Sequence, residues 1–119
     1  MPDPARGEIW LVDWSPSRGS EQAGRRPALV IQTDAANLNA NYPLTIVAAL
    51  SSQGRAVPSH VLIQPYPRNG LKNDSYVKCE QIMTVSKDRL IDRWGSISPE
   101  DMSKVSQALR QTLSLLHES

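Results

Sequence analysis

Apolar residues in this chain fall into short runs separated by polar, turn-forming stretches, and most runs keep the two-residue period of strands rather than the 3.6-residue period of helices. Gly7 to Trp14 is the first, with Trp10, Val12 and Trp14 on one face and Ile9, Leu11 and Asp13 on the other. Both faces are largely apolar, which predicts a strand covered on both sides, by its own core on one and by a helix or a second subunit on the other. Ser15-Pro16 stops it, because proline has no N–H to give to a ladder. Pro27 to Thr33 reads as a second strand with its proline at the permitted first position, and Leu44 to Leu50, almost continuously apolar, as a buried third. Asp34 to Asn41 between them is polar and irregular. His60 to Gln64, bounded by Pro58 and Pro65, is a fourth strand. After the turn signal Asn69-Gly70, Ser75 to Glu80 sets Tyr76, Lys78 and Glu80 against Val77 and Cys79, as a half-buried strand does. Ser86-Lys87-Asp88 can cap a single helical turn, and Leu90 to Ile97 is the last strand.

The period changes only near the C-terminus. Ser98 at the cap, Pro99 at the first position and Asp101 three residues past the cap form a capping-box variant, and Met102, Val105, Leu109, Leu113 and Leu116 then follow the spacing of one buried helical stripe. About six to seven short antiparallel strands and one C-terminal helix predict a mainly β fold, a small and strongly bent barrel rather than alternating βαβ units. A chain of 119 residues fits a single domain, 1–119, with one core.

Composition narrows the chemistry. One cysteine, Cys79, excludes an intramolecular disulfide, and two scattered histidines, His60 and His117, make no ligand set, so no metal or other cofactor is expected. Met1-Pro2-Asp3-Pro4 lacks the pattern of a signal peptide, and no apolar run approaches the ~20 residues of a membrane span, which predicts a cytoplasmic protein without membrane contact. The net charge of +1 does not announce a nucleic-acid binder. Local charge does: the stretches Ser15 to Arg26 and Ser51 to Lys72 hold Arg18, Arg25, Arg26, Arg55, Arg68 and Lys72 against Glu21 alone. Between the first two strands lies Gly19-Ser20-Glu21-Gln22-Ala23-Gly24-Arg25-Arg26-Pro27, longer and more polar than a hairpin needs, as a binding loop is.

These residues also carry a resemblance. Arg6-Gly7-Glu8-Ile9-Trp10, Pro16, the loop Gly19 to Pro27 continuing into Ala28-Leu29-Val30, Glu80-Gln81-Ile82 and Ser86-Lys87-Asp88-Arg89-Leu90 resemble, in order, the MazF/PemK family of toxin endoribonucleases. The resemblance runs from about Arg6 to Leu116. It implies an SH3-like barrel, a homodimer, a cognate antitoxin with the possibility of antitoxin-mediated operator DNA binding, and metal-independent cleavage of single-stranded RNA. The family's catalytic arginine falls on Arg26, and its second catalytic residue, usually threonine, falls on Ser51. Serine keeps the hydroxyl but lacks the β-branch that stiffens χ1.

Cleavage through the ribose 2′-hydroxyl requires stabilisation of extra phosphoryl charge and movement of two protons. A guanidinium suits the first task because its planar fork pairs with phosphate oxygens and stays charged. That permanent charge makes Arg26 a poor base, which leaves Glu21 to accept a proton or to hold Arg26, and Ser51 to bond the phosphate or relay a proton. Ser20, Gln22, Arg25, Ser52, Gln53, His60 and Gln81 are the candidate substrate-binding residues, since unpaired bases are read by amides, hydroxyls and stacking. Each has a plainer reading. Arg25 and Arg26 suit solvated loop charges, Ser51 and Ser52 suit turn formers, His60 suits a surface or interface position, and Gln81 suits a buried carbonyl as well as a base edge. Trp10, Trp14 and Trp94 read as core or interface, although an exposed indole would offer a stacking face. Two other classes of function compete: a non-enzymatic gyrase inhibitor of the same fold, whose Trp-Gly-Ile type ending is missing from Leu115-Leu116-His117-Glu118-Ser119, and an RNA-binding module that does not cut.

Overall fold

The computed structural model describes residues 2–14 and 24–115. Glu21, Ser20 and Gln22, and likewise Leu116 and His117, lie outside the described residues. The elements run β1 (Glu8–Asp13), β2 (Arg25–Val30), α1 (Asp34–Asn37), β3 (Leu44–Ser51), β4 (His60–Ile63), β5 (Ser75–Ser86), a single 3-10 turn (Lys87–Arg89), β6 (Leu90–Ser96) and α2 (Pro99–Thr112). The strands form one six-stranded antiparallel sheet in the order β4-β5-β3-β2-β1-β6.

Alternation places the core on both faces of this sheet. Ile9, Leu29, Ala48, Leu50, Val77 and Cys79 pack with Val105 and Ala108 of α2, whereas Val12, Trp14, Ala28, Val30, Val47, Val85 and Leu90 make a second cluster. β1 feeds both clusters, Ile9 the first and Val12 the second, while Trp10 and Leu11 stay partly exposed, and α2 packs mainly on β4 and β5. The second cluster draws on β1, β2, β3, β5 and β6, so the sheet is bent into a small barrel. Burial pushes the Cys79 thiol up to about 11, with the neighbouring Glu80 charge adding to the effect, which makes the side chain an inert strand residue.

Several boundaries differ from those the pattern predicts. β2 begins at Arg25 rather than at Pro27, because Asp13 and Val12 of β1 pair with Arg25 and Arg26. β5 extends from Glu80 to Ser86 after a break in register, Ala48 facing Ile82 while Ala49 faces Lys78, and the intervening irregularity hides the continuation from a two-residue period. Asp34–Asn37 forms a short helix where irregular chain was expected. Its Asn37 is fully buried and receives hydrogen bonds from Gln32 Nε2 (2.9 Å) and Thr45 Oγ1 (2.8 Å).

The Ser98 cap forms, its Oγ accepting from the Asp101 N–H at 3.1 Å, but the reciprocal half of the capping box does not: the Ser98 N–H donates to the Tyr66 hydroxyl, which in turn donates to Asp101 Oδ2 at 3.4 Å. It ends one turn sooner than the apolar stripe. Ser114 takes a left-handed φ of 56°, and the N–H groups of Leu115 and Ser114 reach back to the carbonyls of Arg110 and Gln111 in a Schellman motif. Leu113 is consequently 49 % exposed, and Ala108 takes the buried position on the stripe. Among the described residues no helix is long and apolar enough to cross a membrane.

Candidate active-site groove

Arg26 stands in β2, opposite Val12, where its backbone is doubly constrained. The β1 ladder holds it on one side, and the indole Nε1 of Trp14 donates to its carbonyl at 3.3 Å. Trp14 itself sits in the second core cluster, and its backbone N–H reaches the Gly24 carbonyl at 2.8 Å. A buried aromatic residue thus anchors the exposed strand start that carries the guanidinium. Gly24 turns there at φ +68°, a conformation glycine takes without a Cβ penalty.

Ser51 closes β3, the next strand in sequence and the neighbour of β2 in the sheet. Its Oγ accepts the Gln53 N–H at 3.1 Å, an ST-turn that fixes the side chain despite the missing β-branch. The hydroxyl proton is left to point at another acceptor.

The segment after Ser51 is fastened to β5 at two points. His60 Nδ1 accepts from the Arg55 N–H at 3.1 Å, so its Nε2 carries the hydrogen and donates to Glu80 Oε2 at 2.8 Å. Gly54 lies on the Tyr76 ring so closely that a Cβ would come within 2.3 Å of the ring. Burial pushes the Glu80 carboxyl up, but the hydrogen bonds from His60, the backbone N–H and Ser59 outweigh it and hold the group below its ordinary value.

Arg26 and Ser51 meet in a groove of about 670 Å³ together with Pro27, Leu50, Ser52, Gly70 to Asn73, Ser75 and Asp92 to Trp94. Its apolar floor, Leu50 and Leu71, is continuous with the first core. Among the described residues three cationic side chains, Arg26, Lys72 and Arg93, line it against one carboxylate, Asp92. Arg93 is engaged by Glu8, Nε to Oε2 at 2.6 Å, and by Ser96 Oγ at 2.9 Å. A groove with a basic wall, hydroxyls and an apolar floor can hold a phosphodiester and the bases beside it.

Of the residues singled out from sequence, Arg26, Ser51 and Ser52 come together here. Arg25 is exposed opposite Asp13, Gln53 supplies the backbone N–H to Ser51, His60 serves the loop clamp, and Gln81 sits in the irregular part of β5; none of these lines the groove. Ser20, Glu21 and Gln22 are outside the described residues. Sequence reading missed Lys72, Asn73, Asp92 and Arg93 as groove residues. Lys72 was visible only as part of a basic stretch, and Asp92 and Arg93 were hidden because β6 loses its alternation.

The fold and groove define the class first: a small antiparallel barrel with a helix, the architecture of a solved endoribonuclease from Mycobacterial species in complex with its cognate antitoxin. The likeness to it has a TM-score of 0.79, at 27 % identity, covering 97 % of this chain and 99 % of that one. The particular family follows from the sequence model of the PemK-like, MazF-like toxins of type II toxin–antitoxin systems, which matches residues 5–113; the chain belongs to this family. It is 42 % identical over 113 residues to Endoribonuclease EndoA of Bacillus subtilis (strain 168), covering 93 % of this chain and 95 % of the relative. It is 35 % identical over 114 residues to Endoribonuclease MazF9 of Mycobacterium tuberculosis, covering 92 % and 96 %.

Proposed function

We propose that this chain is the endoribonuclease of a type II toxin–antitoxin pair and that it cuts single-stranded RNA in the Arg26–Ser51 groove. The observation that carries the reading is the convergence of Arg26 and Ser51, from adjacent strands β2 and β3, on one basic groove in a chain of the toxin family. The 2′-oxygen bonds to phosphorus as the P–O5′ bond breaks, leaving a 2′,3′-cyclic phosphate and a 5′-hydroxyl. Arg26 neutralises the charge that builds on the non-bridging oxygens, and Ser51 donates its hydroxyl proton to one of them.

The 2′-hydroxyl loses a proton and O5′ gains one. Asp92 of β6, which lines the groove, and Glu21, which lies outside the described residues, are the candidate carboxylates. Comparing pH–rate profiles of E21Q and D92N identifies the base: the variant that loses the acidic limb has lost it. Metal-independence belongs to the proposal. Single-stranded RNA incubated with the protein in EDTA is expected to yield 2′,3′-cyclic phosphate and 5′-hydroxyl ends, and RNA left intact over a range of sequences would reverse the reading.

The partner proposed for the groove in the resting state is the cognate antitoxin, through an acidic segment that meets Arg26 and Lys72 and displaces RNA. Copurification with a small acidic protein encoded nearby tests it. A homodimer completes the proposal. Trp10 and Leu11 of β1, only partly buried within the chain, are its motivation, and light scattering decides it.

A further inference from the structure

We infer that Trp94 is a base-stacking residue of this groove, gripping an unpaired base next to the phosphate that Arg26 holds. The inference rests on the ribonuclease reading above and adds the residue that holds the substrate's base. Its starting point is the register of β6 on β1: Ile9 faces Gly95 and Trp10 faces Arg93, so Trp94 is the extra residue of a β-bulge. A bulge turns its residue out of the strand's alternation and re-aims the side chain. The three tryptophans separate accordingly. Trp14 is buried in the second core and Trp10 packs against it, whereas Trp94 is 36 % exposed and lines the groove with Arg26, Ser51 and Lys72.

The backbone under the indole is fixed from two sides. A Cβ on Gly70 would lie 2.2 Å from the Trp94 carbonyl oxygen, and one on Gly95 would lie 2.2 Å from the Arg68 carbonyl oxygen, so the Asn69-Gly70 turn is seated directly on the bulge. Asn69, fully buried, holds that turn by accepting from the Leu71 N–H at 3.0 Å and donating to the Gln64 carbonyl at 3.0 Å. The Ser96 N–H bonds the Arg68 carbonyl at 2.9 Å. The turn that buttresses Trp94 also delivers Lys72 to the groove. A rigidly mounted indole beside cations that attract phosphate is the arrangement that takes up a splayed base: the ring supplies a sequence-tolerant stacking face, and the backbone pays no ordering cost on binding.

The test pairs protein variants with altered RNA. Wild-type, W94F and W94A proteins are assayed on a single-stranded oligonucleotide that wild type cleaves, and on versions with an abasic ribose at each position flanking the cut. W94A is expected to raise KM about tenfold, W94F to restore most of the loss, and one abasic position to cost wild type about tenfold while costing W94A nothing further. That non-additivity reports contact between the indole and that base, which a merely structural residue would not produce. If W94A does not fold, W94L, which fills the space without an aromatic face, takes its place. Equal KM for all variants, or abasic penalties that add to W94A at every position, overturns the inference while leaving the ribonuclease reading intact. Absence of cleavage by wild type overturns both.

Discussion

Strands β2 and β3 lie side by side, and each has polar residues at both ends. At one end, Gln32 just beyond β2 and Thr45 in β3 bond the buried Asn37, and the fully buried Lys87 donates its Nζ to the carbonyls of Asn37 at 2.8 Å and Asn39 at 3.2 Å. At the other end Arg26 and Ser51 face a groove. The first group is closed: its polar atoms answer one another, and no substrate could reach them. The second is open, with a guanidinium and a hydroxyl presented to solvent from anchored backbone. The difference between a structural and a chemical polar cluster is therefore legible in whether its groups are enclosed by the core or line a groove, and not in residue type, since each end has a cation and a hydroxyl.

Breaking the closed end should cost stability and nothing else. N37A removes both sides of the exchange with Gln32 and leaves the Thr45 hydroxyl and the Gln32 amide without their partner, so chemical denaturation should show a loss of about 2–4 kcal/mol. Cleavage per folded molecule should be unchanged. K87M keeps the volume but takes the Nζ donor from the buried Asn37 carbonyl, while the Asn39 carbonyl keeps the Tyr42 N–H, at about 1–3 kcal/mol. If either substitution lowered the specific activity of fully folded protein, the two ends would not be separable.

Ser51 sharpens the comparison from the open side. S51A is expected to reduce kcat by about tenfold to a hundredfold with little change in melting temperature. S51T restores the β-branch, but because the Gln53 N–H already fixes Ser51 Oγ, its rate should lie within about threefold of wild type. A much faster S51T protein would mean that the ST-turn does not restrain the serine.

Much of this was readable before the structure. The six strands, the 3-10 turn under Ser86 and the Ser98 cap follow from period and capping residues, because those are local signals. Arg26 and Ser51 were reached through motif resemblance, and the groove adds that they share one wall. What stayed hidden depends on non-local pairing. The irregularity in β5 and the bulge at Trp94 exist only as register against a partner strand, so β5 looked too short and Trp94 looked like any strand tryptophan. The helix end was misjudged because the left-handed position is filled by Ser114 rather than by glycine. Lys87 and Asn37, polar and unremarkable in sequence, are buried because distant segments answer them, Gln32 and Thr45 the Asn37 amide and the Asn37 and Asn39 carbonyls the Lys87 ammonium.

The smallest effect expected is at the loop clamp. The Glu80 carboxyl is held below its ordinary value, so the stability it contributes is present above that ordinary value and is lost as pH falls through the lowered one. The group is partly exposed, so the effect is slight. Melting curves of wild type and E80Q should coincide at acid pH and separate modestly above 4.5, wild type being the more stable. Curves that separate at acid pH instead would reverse the sign and the assignment.

The central claim is that the open end performs the chemistry and the closed end holds the fold. Its most direct test is one RNA-cleavage assay and one melting curve on R26A and N37A side by side. The account predicts that R26A loses activity by about a hundredfold or more and melts with wild type, while N37A melts early and, below its transition, cuts at the wild-type rate. R26A cutting RNA at the wild-type rate would contradict it.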